Sequence, residues 1–332
     1  MTRTAVDALA TDLLAGNRRA LARACSLLES TTADARSAAV VLLDMLLPHC
    51  IPSRRIGVTG SPGVGKSTFV EAFGLDCVHH GARVAVLAVD PSSRRTGGSI
   101  LGDKVRMPTL SMHDRAFVRP SPSRLALGGA TSTTREMILL CEAAGYDTII
   151  VETVGVGQSE IDVADMVDLF LLLVLATAGD DVQGIKRGIM EVADAVVVTK
   201  SDLDEQAAQR AVAQYKGSLR FMVPSQPSWT VPTLHISSVA AAGLDAIRDV
   251  MATFFADDRR LAIADRRHQQ RVTWFDDTLH RSLIQLVEAD TVMRRRLHEL
   301  RDEVAIGNVV PSSAVRQFLS MLQLTTNTPP RI

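Results

Sequence analysis

The chain has 332 residues, a length that predicts about two domains, and its 46% hydrophobic and 22% charged residues exclude global disorder. Lysine and arginine number 36 against 37 aspartate and glutamate, a formal net charge of −1, so no general basic field is available to grip nucleic acid. Aromatics make up only 4%, which leaves the core to Val, Leu, Ile, Ala and Met.

The first 50 residues read as helices. Val6, Leu9, Leu13 and Leu14 fall on one helical face, Gly16-Asn17 interrupts, and Leu21, Ala24, Leu27 and Leu28 resume the pattern. Val40, Leu43, Leu46 and Leu47 form a third stripe. The N-terminus lacks an apolar signal core and carries Asp7 and Asp12, which predicts a cytoplasmic chain without a secretory signal. From Arg55 the texture changes to short apolar runs at Ile56–Thr59, Val84–Val89, Thr148–Val151, Leu169–Ala176, Ala195–Thr199 and Leu234–Ile236. Helical patterns separate most of them, near 66–79, 133–144, 182–193, 203–216 and 243–255. That rhythm predicts an α/β fold with a mostly parallel sheet covered on both faces. The stretch Leu169 to Ala178 is too short to span a bilayer and reads as a buried strand, so no membrane partner is expected. After Asp257 the chain turns helical again behind Arg259, Arg260, Arg266, Arg267 and His268, with Leu/Val steps to Leu322. The expected division is a helical region over 1–53, a nucleotide domain over 54–257 and a C-terminal helical region over 258–332. The cysteines, Cys25, Cys50, Cys77 and Cys141, are scattered, which fits buried thiols in a reduced compartment rather than a disulfide framework or zinc knuckle.

Gly60-Ser61-Pro62-Gly63-Val64-Gly65-Lys66-Ser67, with Thr68 after it, matches G-x-x-x-x-G-K-[ST] between a strand-like run and a helical pattern. Its glycines let backbone N–H groups wrap phosphates. The helix start adds partial positive charge and Lys66 a full one, while Ser67 is the expected Mg²⁺ ligand. The motif alone does not choose between ATP and GTP.

Thr199-Lys200-Ser201-Asp202 ends the run at 195–199 and bears on that choice. The Asp202 carboxylate can accept from guanine N1–H and the 2-amino group, which adenine does not offer, and Lys200 can lay its stem along the base. The usual first residue of this tetrapeptide is Asn, and Thr199 in its place predicts weaker bracing of the loop. His235-Ile236-Ser237-Ser238 is the expected second guanine loop. In this order and spacing the pieces favour GTP over ATP.

Asp90 and Glu152 end strand-like runs, and Asp103 lies in a Gly-rich segment. Carboxylates facing a phosphate cradle are suited to hold Mg²⁺ or to position an attacking water. Glu152-Thr153-Val154-Gly155-Val156-Gly157-Gln158 and the segment 177–188 read as loops able to report nucleotide state.

The strings LeuAlaValAspProSerSer (87–93), ThrGlyGlySerIleLeuGlyAspLysValArgMet (96–107), GluThrValGlyValGlyGlnSerGlu (152–160) and GlnGlyIleLysArgGlyIleMetGlu (183–191) make the chain resemble the MeaB/ArgK family. These are G-protein chaperones of adenosylcobalamin-dependent acyl-CoA mutases, methylmalonyl-CoA mutase among them. The likeness extends to AlaGlyAsnArgArgAlaLeuAlaArgAla (15–24) and ArgArgHisGlnGlnArgValThrTrp (266–274). It implies a P-loop GTPase of the SIMIBI class with N-terminal helices, a C-terminal helical dimerisation arm, and a homodimer. It also implies that Ser67, Asp90, Asp103 and Glu152 surround Mg²⁺, with Lys66, Asp103 and Glu152 in catalysis and Glu152 serving the hydrolytic water. Cobalamin enters only through the partner mutase. Thr199 departs from the family pattern, as does Arg124-Leu125-Ala126.

Two other readings stand beside this one. A metal-delivery GTPase would carry clustered Cys/His ligands, and His79-His80 point in different directions on a helix. A kinase of a transport-associated binding protein would need a second-substrate site, which the sequence does not display.

Overall fold

The computed structural model describes residues 1–30, 32–90, 107–122, 129–153, 160–176, 187–222, 226 and 229–326; at 90, 120–122, 129–132, 160, 187 and 322–326 it describes the backbone alone. Two compact units run Met1–Gln270 and Arg271–Ile332.

In the first unit, helices α1 (Arg3–Leu14), α2 (Arg18–Leu28) and α3 (Ala33–Leu46) precede seven strands. These are β1 (Arg54–Gly60), β2 (Val84–Asp90), β3 (Ala116–Pro122), β4 (Thr148–Glu152), β5 (Leu169–Leu175), β6 (Ala195–Thr199) and β7 (Thr233–His235). Between the strands lie α4 (Lys66–His79), α5 (Pro108–Met112), α6 (Gly129–Ala143), α7 (Glu160–Ala164), α8 (Arg187–Val192) and α9 (Glu205–Leu219). Helix α10 (Leu244–Phe254) and the start of α11 (Arg260–Ala289) complete it. The sheet order is β3-β2-β4-β1-β5-β6-β7, with every neighbouring pair parallel. All carboxyl ends therefore share one edge, where open α/β sheets bind ligands.

Strand periodicity explains the two-sided core. Along β2, Val84 and Val86 join one apolar cluster, with Phe69, Val70 and Phe73 of α4, while Ala85, Leu87 and Val89 join another, with Leu13, Leu21, Leu42 and Met137. Each fully buried Leu, Ile, Val or Phe contributes about 1.5–3 kcal/mol, so strands buried on both faces carry much of the stability. Side-chain caps fix the helix entries: the Asn17 carboxamide oxygen accepts from Arg19 N and Ala20 N, and Asp204 Oδ1 accepts from Ala207 N at 2.8 Å.

Three expectations needed correction, the first being that Leu14 of α1 is exposed while Ala10 joins Val6, Leu9 and Leu13 on the buried face. The inward stripe of α3 is Ala38, Ala39, Leu42 and Leu46, and Val40 and Leu47 face solvent. Strand β3 was not expected at all.

The amino-end edge of the sheet is held by buried ion pairs. Asp168, just before β5, accepts from Arg55 N at 2.9 Å and binds Arg267 through Nε at 2.7 Å and Nη2 at 2.6 Å. Asp194, just before β6, accepts from Phe170 N at 2.8 Å and from Arg266 Nη1 at 2.9 Å. Both carboxylates are fully buried. Burial disfavours the Arg267 charge, but the hydrogen bond and attraction of Asp168 outweigh it and hold its pKa above the ordinary arginine value. Burial also pushes the thiols of Cys25 and Cys77 up to about 12 and that of Cys50 up to about 11, and raises Cys141 as well, so the thiolate form is disfavoured at all four.

The second unit holds the rest of α11 with α12 (Thr291–Ala305) and α13 (Pro311–Thr326). Leu300 and Ala314 are buried between the last two helices, and Arg296 Nη2 donates to Gln317 Oε1 at 3.1 Å. Phe275, Leu279, Leu283, Ile284 and Leu286 of α11 are exposed. Among the described residues no helix is long and apolar enough to cross a membrane.

Candidate functional site

The central strand β1 runs into the glycine-rich loop, and the loop's backbone explains its composition. At Gly60 (φ +154°) a Cβ would lie 2.5 Å from the Leu173 carbonyl oxygen, so only glycine lets the strand end pack this tightly on β5. Gly65 (φ +97°) adopts the left-handed conformation that starts α4. The loop thus ends on a helix N-terminus, whose N–H groups and dipole favour an anion.

Lys66, 9% exposed, is drawn onto the loop itself: Nζ donates to the carbonyls of Gly60 at 2.7 Å and Ser61 at 3.1 Å. The next residue reaches across the sheet. Ser67 Oγ donates to Glu152 Oε1 at 2.9 Å, and the Glu152 side chain is 7% exposed. Glu152 sits there because β4 pairs with both of its neighbours, Val58↔Glu152 and Ala88↔Glu152. Thr153 extends that ladder by donating N–H to Val58 O at 3.0 Å and its hydroxyl to Thr59 Oγ1 at 2.9 Å. Asp90 ends β2 two residues beyond Ala88, in register with Pro122. Its backbone therefore reaches the same edge, and its side chain lies outside the described residues. Asp103 lies wholly outside them.

The base-side loops meet the phosphate loop. Thr199, 2% exposed, donates its hydroxyl to Val64 O at 2.7 Å, with Val174 O at 3.3 Å. The brace expected to weaken is present. Lys200 takes φ +59° and its Cε lies 3.9 Å from where a Cβ on Gly65 would stand. Ser201 N donates to Ile236 O at 3.0 Å, and Ile236 N to Val198 O at 2.8 Å, which holds the second loop against the first. Ser237 closes that second loop by exchanging backbone hydrogen bonds with Ala242, both at 3.0 Å, and by accepting Ala240 N on Oγ at 3.1 Å. Asp202 is exposed, Ser238 half-buried, and Ser61, Pro62, Gly63 and Thr68 present an open surface while Val64 is buried.

The structure thus gathers Lys66, Ser67, Glu152, Thr199 and Lys200 around one loop, with Ile236 and Ser237 behind it. The segments 154–159 and 177–186, expected to report nucleotide state, and 124–126 lie outside the described residues. Sequence reasoning missed the Thr59–Thr153 contact. Its signal is two threonines at the carboxyl ends of neighbouring strands, one just before the end of β1 and one just after β4.

A family model described as "Methylmalonyl Co-A mutase-associated GTPase MeaB" matches residues 21–292. The chain is 46% identical over 326 residues to a putative GTPase of Caulobacter vibrioides, covering 96% of this chain and 98% of that protein. It is 42% identical to the mitochondrial methylmalonic aciduria type A homolog of Mus musculus, covering 95% of this chain and 79% of that protein. Among solved structures, one described as an LAO/AO transport system kinase superposes with a TM-score of 0.76 at 35% identity, covering 97% of this chain and 99% of that one. With its phosphate loop, parallel sheet and flanking helices in the same framework, the chain belongs to the MeaB family and is a P-loop GTPase.

Proposed function

We propose that this GTPase gates cofactor loading of an adenosylcobalamin-dependent acyl-CoA mutase, methylmalonyl-CoA mutase first among candidates, and protects it. The observation that carries the proposal is the family match over residues 21–292, whose description names that mutase as partner. The mouse relative is named for methylmalonic aciduria, which agrees with it. The name of the solved relative favours a kinase of a transport protein instead, and that reading shares the same loop.

The residues suit a slow, partner-regulated hydrolysis. Lys66 and the N–H groups of Gly63 to Ser67 hold the phosphates of GTP. A hydroxyl and a buried carboxylate 2.9 Å apart are hard oxygen donors of the kind Mg²⁺ takes, so Ser67 and Glu152 fit that ion, with Asp90 and Asp103 completing the set. Mg²⁺ bound there supplies charge neutralisation on the phosphates. Glu152 orients the attacking water, and Asp202 with Lys200 and the Ile236–Ser238 loop selects guanine. A partner that supplies a transition-state arginine finger, a group worth about a thousandfold or more in rate, has room to accelerate the reaction. The exposed Leu279, Leu283 and Leu286 of α11 belong to a homodimer interface in residues 258–332. The compartment is the cytoplasm.

The test is phosphate release from GTP with and without a purified acyl-CoA mutase, run beside radiolabel transfer to protein. We expect stimulation of about tenfold or more and no labelled protein. A rate that no acyl-CoA mutase changes overturns the chaperone reading, and labelled protein moves the assignment to the kinase. Sedimentation of the full chain as a monomer at micromolar concentration overturns the dimer.

A further inference from the structure

The departure at the first position of the base tetrapeptide has a chemical consequence that follows from counting protons. A carboxamide at this place offers two N–H donors and one acceptor, whereas a threonine hydroxyl offers a single proton. In this chain that proton faces two groups that can only accept, the carbonyls of Val64 at 2.7 Å and Val174 at 3.3 Å. The hydroxyl is buried, 2% exposed for the whole residue, and the register Leu175↔Thr199 fixes its backbone on β6. Turning the hydroxyl outward would leave Val64 O without this donor inside a buried site, which is costly. Residue 199 therefore has no proton left for a nucleotide.

Purine N7 is a pure acceptor, present in guanine and adenine alike. Reading it requires a donor. We infer that Thr199 is a positioning residue that ties the base loop to the phosphate loop and itself donates no hydrogen bond to purine N7. Asparagine at the same position would have one N–H for the loop and one for the base. This chain keeps the first function and lacks the second. The inference rests on the reading of Lys200 to Asp202 as the base-binding loop. Because N7 is common to both purines, the missing donor lowers affinity for the base without altering the choice between guanine and adenine, which stays with Asp202.

The experiment compares GTP with 7-deaza-GTP, which replaces N7 by C–H, in equilibrium competition on the full-length protein. The unaltered protein should bind the two within about twofold of each other. Thr199→Asn should tighten GTP but not the deaza analogue, opening a ratio of about fivefold, the effect of one hydrogen bond. Thr199→Val, which keeps the shape and loses the proton, should weaken both nucleotides by the same factor of about tenfold, and Thr199→Ser should restore both. Melting of the nucleotide-free variants checks that each is folded. A tenfold preference of the unaltered protein for GTP over 7-deaza-GTP overturns the inference. So does a Thr199→Val variant that weakens GTP alone, or one that binds both nucleotides normally. Equal affinity for GTP and ATP is a separate failure, that of the guanine assignment, and the N7 comparison can then be repeated with ATP and 7-deaza-ATP.

Discussion

Ser67 and Glu152 stand 85 positions apart in the chain, yet the serine hydroxyl donates to the glutamate carboxylate at 2.9 Å. The contact joins the first turn of α4 to the last residue of β4. It places an acid at the entrance of the phosphate loop, on a strand end that cannot shift without breaking the ladder on both sides.

Glu152→Gln keeps that volume and an oxygen for Ser67 but removes the negative charge. Single-turnover phosphate release should fall by about a hundredfold, while GTP affinity stays within about threefold. Hydrolysis at the unaltered rate would remove Glu152 from the reaction.

Asp202→Asn exchanges a carboxylate for a carboxamide whose N–H₂ suits the 2-oxo group of xanthine. Calorimetry should show preference moving from guanine toward xanthine nucleotides by at least about tenfold, because the carboxamide no longer accepts from both guanine N–H groups and now donates to the 2-oxo group. Equal affinity of the unaltered protein for ATP and GTP would count against any role of Asp202 in base choice.

Arg267→Ala strands the fully buried Asp168 carboxylate, which keeps the Arg55 N–H but loses its counter-charge. Removing one partner of a buried pair costs about 3–5 kcal/mol, so the urea midpoint should drop sharply. The folded fraction should bind GTP normally, since the pair lies at the amino ends of the strands. A midpoint equal to that of the unaltered protein would show that the charge finds another partner.

The buried thiols make stability fall at high pH. In the unfolded chain a thiol ionises near its ordinary 9.0, whereas Cys25 and Cys77 stay protonated up to about 12 when folded. Above 9 the unfolded state binds fewer protons, so the thiol contribution, complete below that pH, declines as pH rises toward 12. Denaturation midpoints taken across this window should decrease, and a Cys25→Ala, Cys77→Ala double variant should decrease less steeply. At pH 7 the native protein should react slowly with an aromatic disulfide reagent and the unfolded protein rapidly.

Much of the architecture is written in the chain as periodicity and motif. The runs at 84–89, 148–151 and 195–199 each became a strand within a residue or so of the expected ends, because strands buried on both faces leave uninterrupted apolar text. Strand β3 left no such text. It carries Arg119, Pro120 and Pro122, and it is an edge strand with one paired side, where proline is tolerated. The α3 stripe was misplaced because Val40, Leu43 and Leu47 compete with Ala38 and Ala39, and small residues won the contact with α1 and α2. In the site, Lys66 and Ser67 were legible from spacing alone. The role of Thr199 was not, since a hydroxyl substituting for a carboxamide can be judged only when its acceptor is seen. Asp168 and Asp194 were passed over for a similar reason: their partners, Arg267 and Arg266, lie 99 and 72 residues away.

The two ends of the sheet carry different kinds of vulnerability. Buried ion pairs cluster where the strands begin, and the phosphate loop with its neighbours lies where they end. A substitution at the beginning lowers how much folded protein a cell accumulates, because a loss of one or two kcal/mol already changes abundance several-fold. A substitution at the far end leaves the amount intact and alters what each molecule does. Comparing steady-state protein level with turnover per molecule would therefore sort an unclassified variant by which end of its strand it occupies. Low-temperature growth or a stabilising additive should rescue the first group and not the second.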